Sequence, residues 1–295
     1  MNGRMAVHAH NLAAWQYAVL AARGTGAIVV YTQHGMNKNV RGGFNRWRTG
    51  WLCGHTRALV AVTPTTADHM AVAQGFHRAR IEVIPNGIDP ARCGYTARSR
   101  IEARRMVGLP ENAFIVGSVG RFVPEKNYPL LVEAFKTFSR HLADEVLVLV
   151  GDGPEREKIE CDIRSNGIER QCRLPGIQAD PVSWISTLDV FCLSSISEGM
   201  PVSLLEAAAC GVPSVVTDVG GNAAIVVDGV TGLVVPPDDP GAMAAAFAKL
   251  RREPELGENM GGEARRRLMA MFTSDVTLAA YERRYAAAGQ QVEHA

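Results

Sequence analysis

The chain has 295 residues, 47% of them hydrophobic and 21% charged, with a net charge of +1, ordinary values for a soluble globular protein long enough to hold two cores. Its six cysteines (Cys53, Cys93, Cys161, Cys172, Cys192 and Cys210) show no C-x-x-C spacing and several lie in apolar segments, which argues for reduced thiols over a disulfide framework or a zinc site. No uninterrupted apolar run approaches a membrane span, and His8, His10 and Asn11 break the apolar stretch that a signal peptide needs after Arg4, so the expected location is the cytoplasm.

The charge is unevenly spread. Residues 1–95 carry ten Arg and Lys against three acids, a net of +7, which leaves −6 for the remainder. The first part therefore prefers anions or an anionic surface.

In chain order, Met5 to Val7 reads as a short strand and Asn11 to Ala22 as a helix, from the spacing of Leu12, Trp15, Ala18 and Val19. Ala27 to Tyr31 is a strand that ends in a polar turn, Thr32, Gln33, His34 and Gly35. Ala58 to Val62 is a third strand, followed by a helix to about Ala73 with Thr63 as N-cap and Pro64 at its first position. Ile81 to Ile84 closes on Pro85-Asn86-Gly87-Ile88-Asp89, a turn expected to need positive φ at Asn86 or Gly87. Strand, helix and strand at this spacing imply a parallel sheet.

Between these elements, Asn37 to Leu52 interleaves Lys38, Arg41, Arg46 and Arg48 with Phe44, Trp47 and Trp51. The plain reading is a loop and helix with buried aromatics and solvated cations. The sharper one is a surface that meets phosphorylated lipid or an anionic bilayer. No RNA or DNA motif accompanies the stretch, so nucleic acid is not expected as a partner.

Tyr95 to Asn112 reads as a linker with a lead-in helix, after which a second α/β run begins. Phe114 to Val119 is a strand ending in Gly120-Arg121-Phe122-Val123-Pro124-Glu125-Lys126-Asn127, and the next helix should bury Leu130, Leu131, Ala134, Phe135 and Phe138. Strands follow at Val146 to Val150, Arg173 to Gly176, Asp189 to Leu193, Ser214 to Thr217 and Gly232 to Val235. Helices are expected at Ala242 to Arg252, Glu263 to Met271 and Thr277 to Ala288, with a frayed tail. Neither a dinucleotide fingerprint nor a P-loop occurs, and no metal-ligand spacing is seen.

The densest chemistry lies in Glu198 to Gly211, EGMPVSLLEAAACG. Pro201 suits the first position of a helix, and Gly211 is placed to stop it. The helix N-terminus offers N–H groups to a phosphate, Glu206 could accept two hydrogen bonds from a ribose diol, and Glu198 could reach the next part of the same ligand. Arg121 and Lys126 follow one strand and supply the two fixed cations that a diphosphate leaving group requires. Two solvated glutamates and two solvated cations are the bland alternative.

Together these residues resemble the retaining glycosyltransferases of group 1, or family 4, of the GT-B type. The likeness covers nearly the whole chain and is densest in GRFVPEKN, GDGPE, EGMPVSLLEAAACGVPSVVTDVGG and DGVTGLVVPPDD, with the E-x7-E pattern its most specific part. It implies an α/β fold of two Rossmann-like parallel-sheet domains facing across a cleft: residues 1–94 on the acceptor side, 95–272 binding the nucleotide sugar, and a helix in 273–295 crossing back to the first domain. It implies that Arg121 and Lys126 hold the donor pyrophosphate, Glu206 the ribose and Glu198 the transferred sugar. The backbone of Gly120 and of Gly199, Met200, Val202 and Ser203 would approach sugar and phosphate, and His34 would stand near the reacting centre. A simple turn histidine is the other reading of His34.

The expected activity is transfer of a sugar, with retention and without a metal or organic cofactor, from a UDP- or GDP-sugar to a glycan or lipid-linked acceptor in cell-surface polysaccharide or glycolipid assembly. Peripheral contact with the inner face of the cell membrane would follow from the sharper reading of Asn37 to Leu52. Two departures stand out. Relatives usually open with a strand and a Gly-rich loop, whereas Met1 lies close to the HAHN strand-turn, so the first domain is expected to be incomplete. A glutamate is common where this chain has Ala224. The alternative is a nucleotide-sugar-binding module impaired in transfer.

Overall fold

A computed structural model describes residues 5–36, 43–93, 100–140, 142 and 144–290. The chain forms two compact units, Met1–Gly87 with Ser274–Ala295, and Ile88–Thr273. Lys38 and Arg41 of the basic stretch, Tyr95 at the start of the expected linker and the tail from residue 291 lie outside the described residues.

The first unit contains β1 (Ala6–Ala9), α1 (Leu12–Ala22), β2 (Ile28–Gln33), α2 (Gly43–Gly54), β3 (Ala58–Ala61), α3 (Pro64–Gln74) and β4 (Ile81–Val83). Its four strands pair in parallel in the order β1-β2-β3-β4. The starts of α1 and α3 have local causes. Asn11 Oδ1 accepts from Ala14 N at 2.8 Å, and Thr63 Oγ1 caps α3 ahead of Pro64. Trp15 stacks on Tyr31 with ring centroids 4.4 Å apart, and its indole N–H donates to Thr56 Oγ1, so the largest core side chain is buried with its polar atom satisfied.

Two expectations are corrected here. Thr32 and Gln33 are not turn residues: β2 runs on through Gln33, because β3 continues to pair with it as far as Ala61. Neither Asn86 nor Gly87 has positive φ. The chain does not reverse there but runs on from β4 to Ile88, whose N–H donates to Phe272 O and which bridges to Thr273. The division into compact units falls at Gly87/Ile88, and Cys93 is packed into the second unit by Cys210, whose thiol donates to its carbonyl.

The second unit contains α4 (Arg100–Val107), β5 (Phe114–Val119), α5 (Tyr128–Ser139), β6 (Glu145–Val150), α6 (Arg156–Ser165), β7 (Cys172–Gly176), α7 (Pro181–Ile185), β8 (Val190–Leu193), α8 (Val202–Ala209), β9 (Ser214–Thr217), α9 (Asn222–Ile225), β10 (Gly232–Val235), α10 (Pro240–Arg252) and α11 (Pro254–Met271). Its six strands are all parallel, in the order β10-β9-β8-β5-β6-β7. The apolar face of α5 buries Leu130, Leu131, Ala134, Phe135 and Phe138 as its spacing requires, each fully covered Leu or Phe contributing about 1.5–3 kcal/mol. Helix α4 is locked to the amino ends of the strands by Asp189, which takes Arg100 and Arg104, both at 2.6 Å, and the Ile115 N–H. Helix α11 starts at Pro254, well before the expected Glu263, because its earlier turn buries Gly257, Met260 and Gly261.

Helix α12 (Ser274–Gln290) returns to the first unit. Ala280, Tyr281 and Tyr285 pack against Val30, Ala58, Val60 and Ile84, and Thr277 Oγ1 donates to Pro85 O.

Candidate active site

In the second sheet the chain starts at β5 and winds outward, through β6 and β7 on one side and through β8, β9 and β10 on the other. The loops that leave β5 and β8 diverge at the carboxyl edge, and that is where open α/β sheets form ligand crevices. Arg121 and Lys126 lie on the loop after β5, Glu198 on the loop after β8. The loops are joined to each other: Ile196 N–H donates to Glu125 O and Ser194 Oγ donates to Lys126 O, both at 2.9 Å.

Lys126 ends a 3-10 turn, Pro124–Lys126, and Asn127 then adopts left-handed backbone (φ 47°) to enter α5. The Lys126 ammonium donates to Glu198 Oε1 at 2.6 Å, and Ser195 Oγ donates to the same oxygen, also at 2.6 Å. Glu198 is buried and Lys126 is 20% exposed, so the pair is only partly solvated. The backbone around Glu198 is fixed from a third loop. Gly220 has φ 53°, a Cβ there would overlap the Glu198 carbonyl oxygen, and Gly221 N–H donates to that oxygen. Thr217 Oγ1 donates to Ser195 O at 2.6 Å.

Pro201 is the N-cap of α8 rather than its first residue, with φ −70° and ψ 121°, because the chain enters the helix from extended backbone. Pro201 offers no side-chain cap, and Leu204 N–H donates to Pro201 O, so that among the described residues no side chain bonds the N–H groups of Val202 and Ser203, which face a ligand approaching this end. Glu206 lies inside α8, half-buried. Burial and the nearby Asp180 raise its pKa above the usual carboxylate value, and Arg92 opposes them. No described side chain hydrogen-bonds its carboxylate.

The structure thus joins Lys126 and Glu198 directly, while Arg121 is exposed at the head of its loop and Glu206 faces Asp180 and Arg92. Gly120 continues the ladder to Val150, and a Cβ on it would lie 3.2 Å from Tyr128 Oη and 3.7 Å from Lys126 Cε. Gly199 and Ser203 are half-buried, Met200 is buried and Val202 is exposed. Three contributors were not singled out from the sequence: Ser195, Gly220 and Tyr128. Ser195 had a visible signal, a hydroxyl in a small polar turn at the end of an apolar strand. Tyr128 had none, since helix spacing marks it only as core.

At Ala224, where the resemblance led to the expectation of a glutamate, the carbonyl accepts from Arg267, which also donates to Ile225 O. Among the described residues no cluster of three or more His, Cys, Asp or Glu is arranged to hold a metal ion. A hollow of about 240 Å³, lined in part by Arg104, Asp189, Pro213 and Arg251, lies at the amino edge of the strands and takes in none of the expected site residues.

In the first unit His34 is exposed immediately after β2, and its Nε2 lies 2.9 Å from His10 Nδ1. Burial and His10 lower the pKa of His34, while a hydrogen bond with Asn86 raises it.

Residues 99–267 match the family of glycosyl transferases group 1, and residues 6–92 match Glycosyltransferase Family 4. The chain is 32% identical over 237 residues to a D-inositol 3-phosphate glycosyltransferase of Kribbella flavida, covering 76% of this chain and 55% of that protein. It is 28% identical over 243 residues to the UDP-Gal:alpha-D-GlcNAc-diphosphoundecaprenol alpha-1,3-galactosyltransferase of Escherichia coli, covering 79% of this chain and 62% of that one. The chain therefore spans less than two thirds of either relative. In fold it is similar to Anabaena HepE, solved in complex with UDP and glucose, with a TM-score of 0.87 at 19% identity over 96% of this chain and 78% of that one. Sucrose-phosphate synthase from Thermosynechococcus elongatus gives a TM-score of 0.82 at 22% identity, covering 96% and 74%. Two parallel-sheet α/β units, the GT-B type of fold, and the match to residues 99–267 together establish that this chain belongs to the glycosyl transferases of group 1.

Proposed function

We propose that the chain moves a sugar from a nucleotide-diphosphate sugar to a glycan or lipid-linked acceptor with retention of configuration, its second unit binding the donor and its first serving the acceptor. The observation that carries this reading is the Lys126–Glu198 pair at the point where the second sheet winds both ways, beside a helix N-terminus that no described side chain caps. The relatives named for D-inositol 3-phosphate glycosyl transfer and for galactosyl transfer from UDP-Gal support a nucleotide-sugar donor.

In this reading Glu206 accepts from the ribose hydroxyls, for which a half-buried carboxylate with no hydrogen-bond partner among the described side chains is suited. Arg121, Lys126 and the leading N–H groups of α8 take the pyrophosphate, with Gly120 leaving room for it. Breaking the bond from the sugar C1 to the phosphate oxygen leaves charge on the diphosphate, which these groups stabilise without a metal. The acceptor oxygen attacks C1 on the same face as the leaving group, and its proton passes to the departing phosphate. Glu198 holds the sugar rather than attacking it: Oε1 is already held by two donors, and Oε2 is left to accept from a sugar hydroxyl. The backbone of Gly199, Met200, Val202 and Ser203 lines the approach of sugar and phosphate, and His34 is assigned a part in the transfer.

The excess of cations in residues 1–95 supports docking on an anionic membrane face, as do exposed Tyr17, Leu20 and Trp47. That site and a lipid-linked acceptor fit a role in cell-surface polysaccharide or glycolipid assembly.

Calorimetry with UDP- and GDP-sugars beside a radiolabelled transfer assay tests the reading. Saturable donor binding with label passing to an acceptor supports it. Binding without transfer selects a nucleotide-sugar-binding module, and absence of binding overturns both.

A further inference from the structure

The first unit holds a histidine cluster that the proposed chemistry uses only at one member. His8 and His10 come from β1 and the residue after it, and His34 follows β2. Because β1 and β2 pair in parallel with His8 opposite Val30, the ends of both strands meet at the same edge. His8 is tied on both sides: its Nε2 lies 2.8 Å from Thr32 Oγ1 and its Nδ1 2.7 Å from Tyr285 Oη. Thr32 Oγ1 is in turn 2.9 Å from Tyr281 Oη. The His8 ring centroid lies 4.0 Å from that of His10, with the two planes tilted by 34°, and His10 is stacked 5.2 Å from His34.

A hydrogen bond between two imidazole nitrogens needs a proton on one and a lone pair on the other. His10 Nδ1 and His34 Nε2, 2.9 Å apart, must therefore share one proton, and both rings cannot be cationic while the bond persists. Two exposed rings in water would not hold this geometry unaided. The tilted His8 ring packs against His10 from one side, and Asn86 hydrogen-bonds His34.

We propose that His10 is a positioning residue for His34: the Nδ1 to Nε2 hydrogen bond fixes the ring and the tautomer of His34. This rests on the reading that His34 serves the transfer. His10 itself touches no reacting atom in it. Burial and its two neighbouring histidines push the His8 pKa down to about 4, so His8 supports the pair as a neutral ring and adds no charge near pH 7. The other titratable groups around the cluster are Tyr281 and Tyr285 of α12, both with raised pKa, and beyond them the Glu82–Arg284 ion pair.

The test is long-range proton–nitrogen NMR of the full chain with labelled histidine, together with steady-state transfer kinetics, on wild type, His10→Ala, His10→Asn and His34→Ala. In wild type the His34 ring nitrogens give the separated shifts of one tautomer at neutral pH. His10→Ala averages them and lowers kcat on the order of tenfold with donor KM unchanged. His10→Asn, whose side-chain amide can reach the position of Nδ1, restores both. Unchanged His34 nitrogen shifts in His10→Ala overturn the positioning inference by themselves. A wild-type rate in His34→Ala overturns the underlying reading of His34 instead, so the two failures are told apart.

Discussion

Lys126 Nζ and Ser195 Oγ converge on one oxygen of Glu198, each at 2.6 Å, and leave the other oxygen of that buried carboxylate without a described donor. One half of Glu198 thus belongs to the protein and one half is available to a ligand. The ammonium that orients the carboxylate is the same group that the proposed chemistry needs beside the departing phosphate.

Replacing Lys126 with Ala removes both functions. Turnover should fall by about 10²–10³-fold, as for loss of one fixed donor to a developing anion, while donor KM changes less. The Glu198 carboxylate left with Ser195 alone should cost about 1–3 kcal/mol of stability. Steady-state kinetics and urea unfolding check the two effects. A loss of donor affinity with turnover intact contradicts the leaving-group role.

Gly220→Ala should damage the site from outside it. The added Cβ overlaps the Glu198 carbonyl, and φ 53° strains any L-residue by about 1–3 kcal/mol before the overlap is counted. The expected result is a lower thermal midpoint together with lost transfer. By contrast Gly229→Ala, at φ 72° with open space around it, should lower the midpoint and leave transfer intact.

Much of this could be read from the chain before folding. The apolar runs located β5, β6, β8 and β9 to within a residue or so, since strands buried on both faces leave an unbroken hydrophobic signature. Pairing between strands is not so legible. That is why β2 outran its apolar run to include buried Thr32 and Gln33, and why 85–89 proved to be a through-running segment. Lys126 and Glu198 stood out individually, but their bond depends on β5 and β8 being neighbours, which no local pattern states. The His10–His34 contact was equally invisible, because it needs β1 and β2 in register.

Glu206→Gln should separate stability from binding. The folded-state pKa of Glu206 is raised, so native protein binds its proton more tightly than the unfolded chain does. Stability from this group is full below the ordinary carboxylate pKa and falls as pH rises through that value to the raised one. At neutral pH the neutral amide should therefore be slightly more stable than wild type by thermal unfolding, with a smaller loss of stability between pH 4 and pH 7. Donor affinity should nevertheless drop about 10–100-fold, because the ribose loses hydrogen bonds to a charged acceptor. A variant with wild-type affinity for the nucleotide contradicts the assignment.

Membrane docking is testable apart from catalysis. The chain should float with vesicles containing phosphatidylserine or phosphatidylglycerol and not with pure phosphatidylcholine. Binding should fall steeply between 0.1 and about 0.5 M salt as screening shortens. Trp47→Ala should weaken it without altering donor binding. Equal flotation on neutral vesicles contradicts an electrostatic contact.

The most direct test is a crystal structure of the chain with UDP or GDP bound. The account predicts one nucleotide per chain, its phosphate oxygens within hydrogen-bond distance of Arg121 and Lys126 Nζ and its ribose hydroxyls on Glu206. A nucleotide seated away from the loops that follow β5 and β8, with Glu206 untouched, contradicts it.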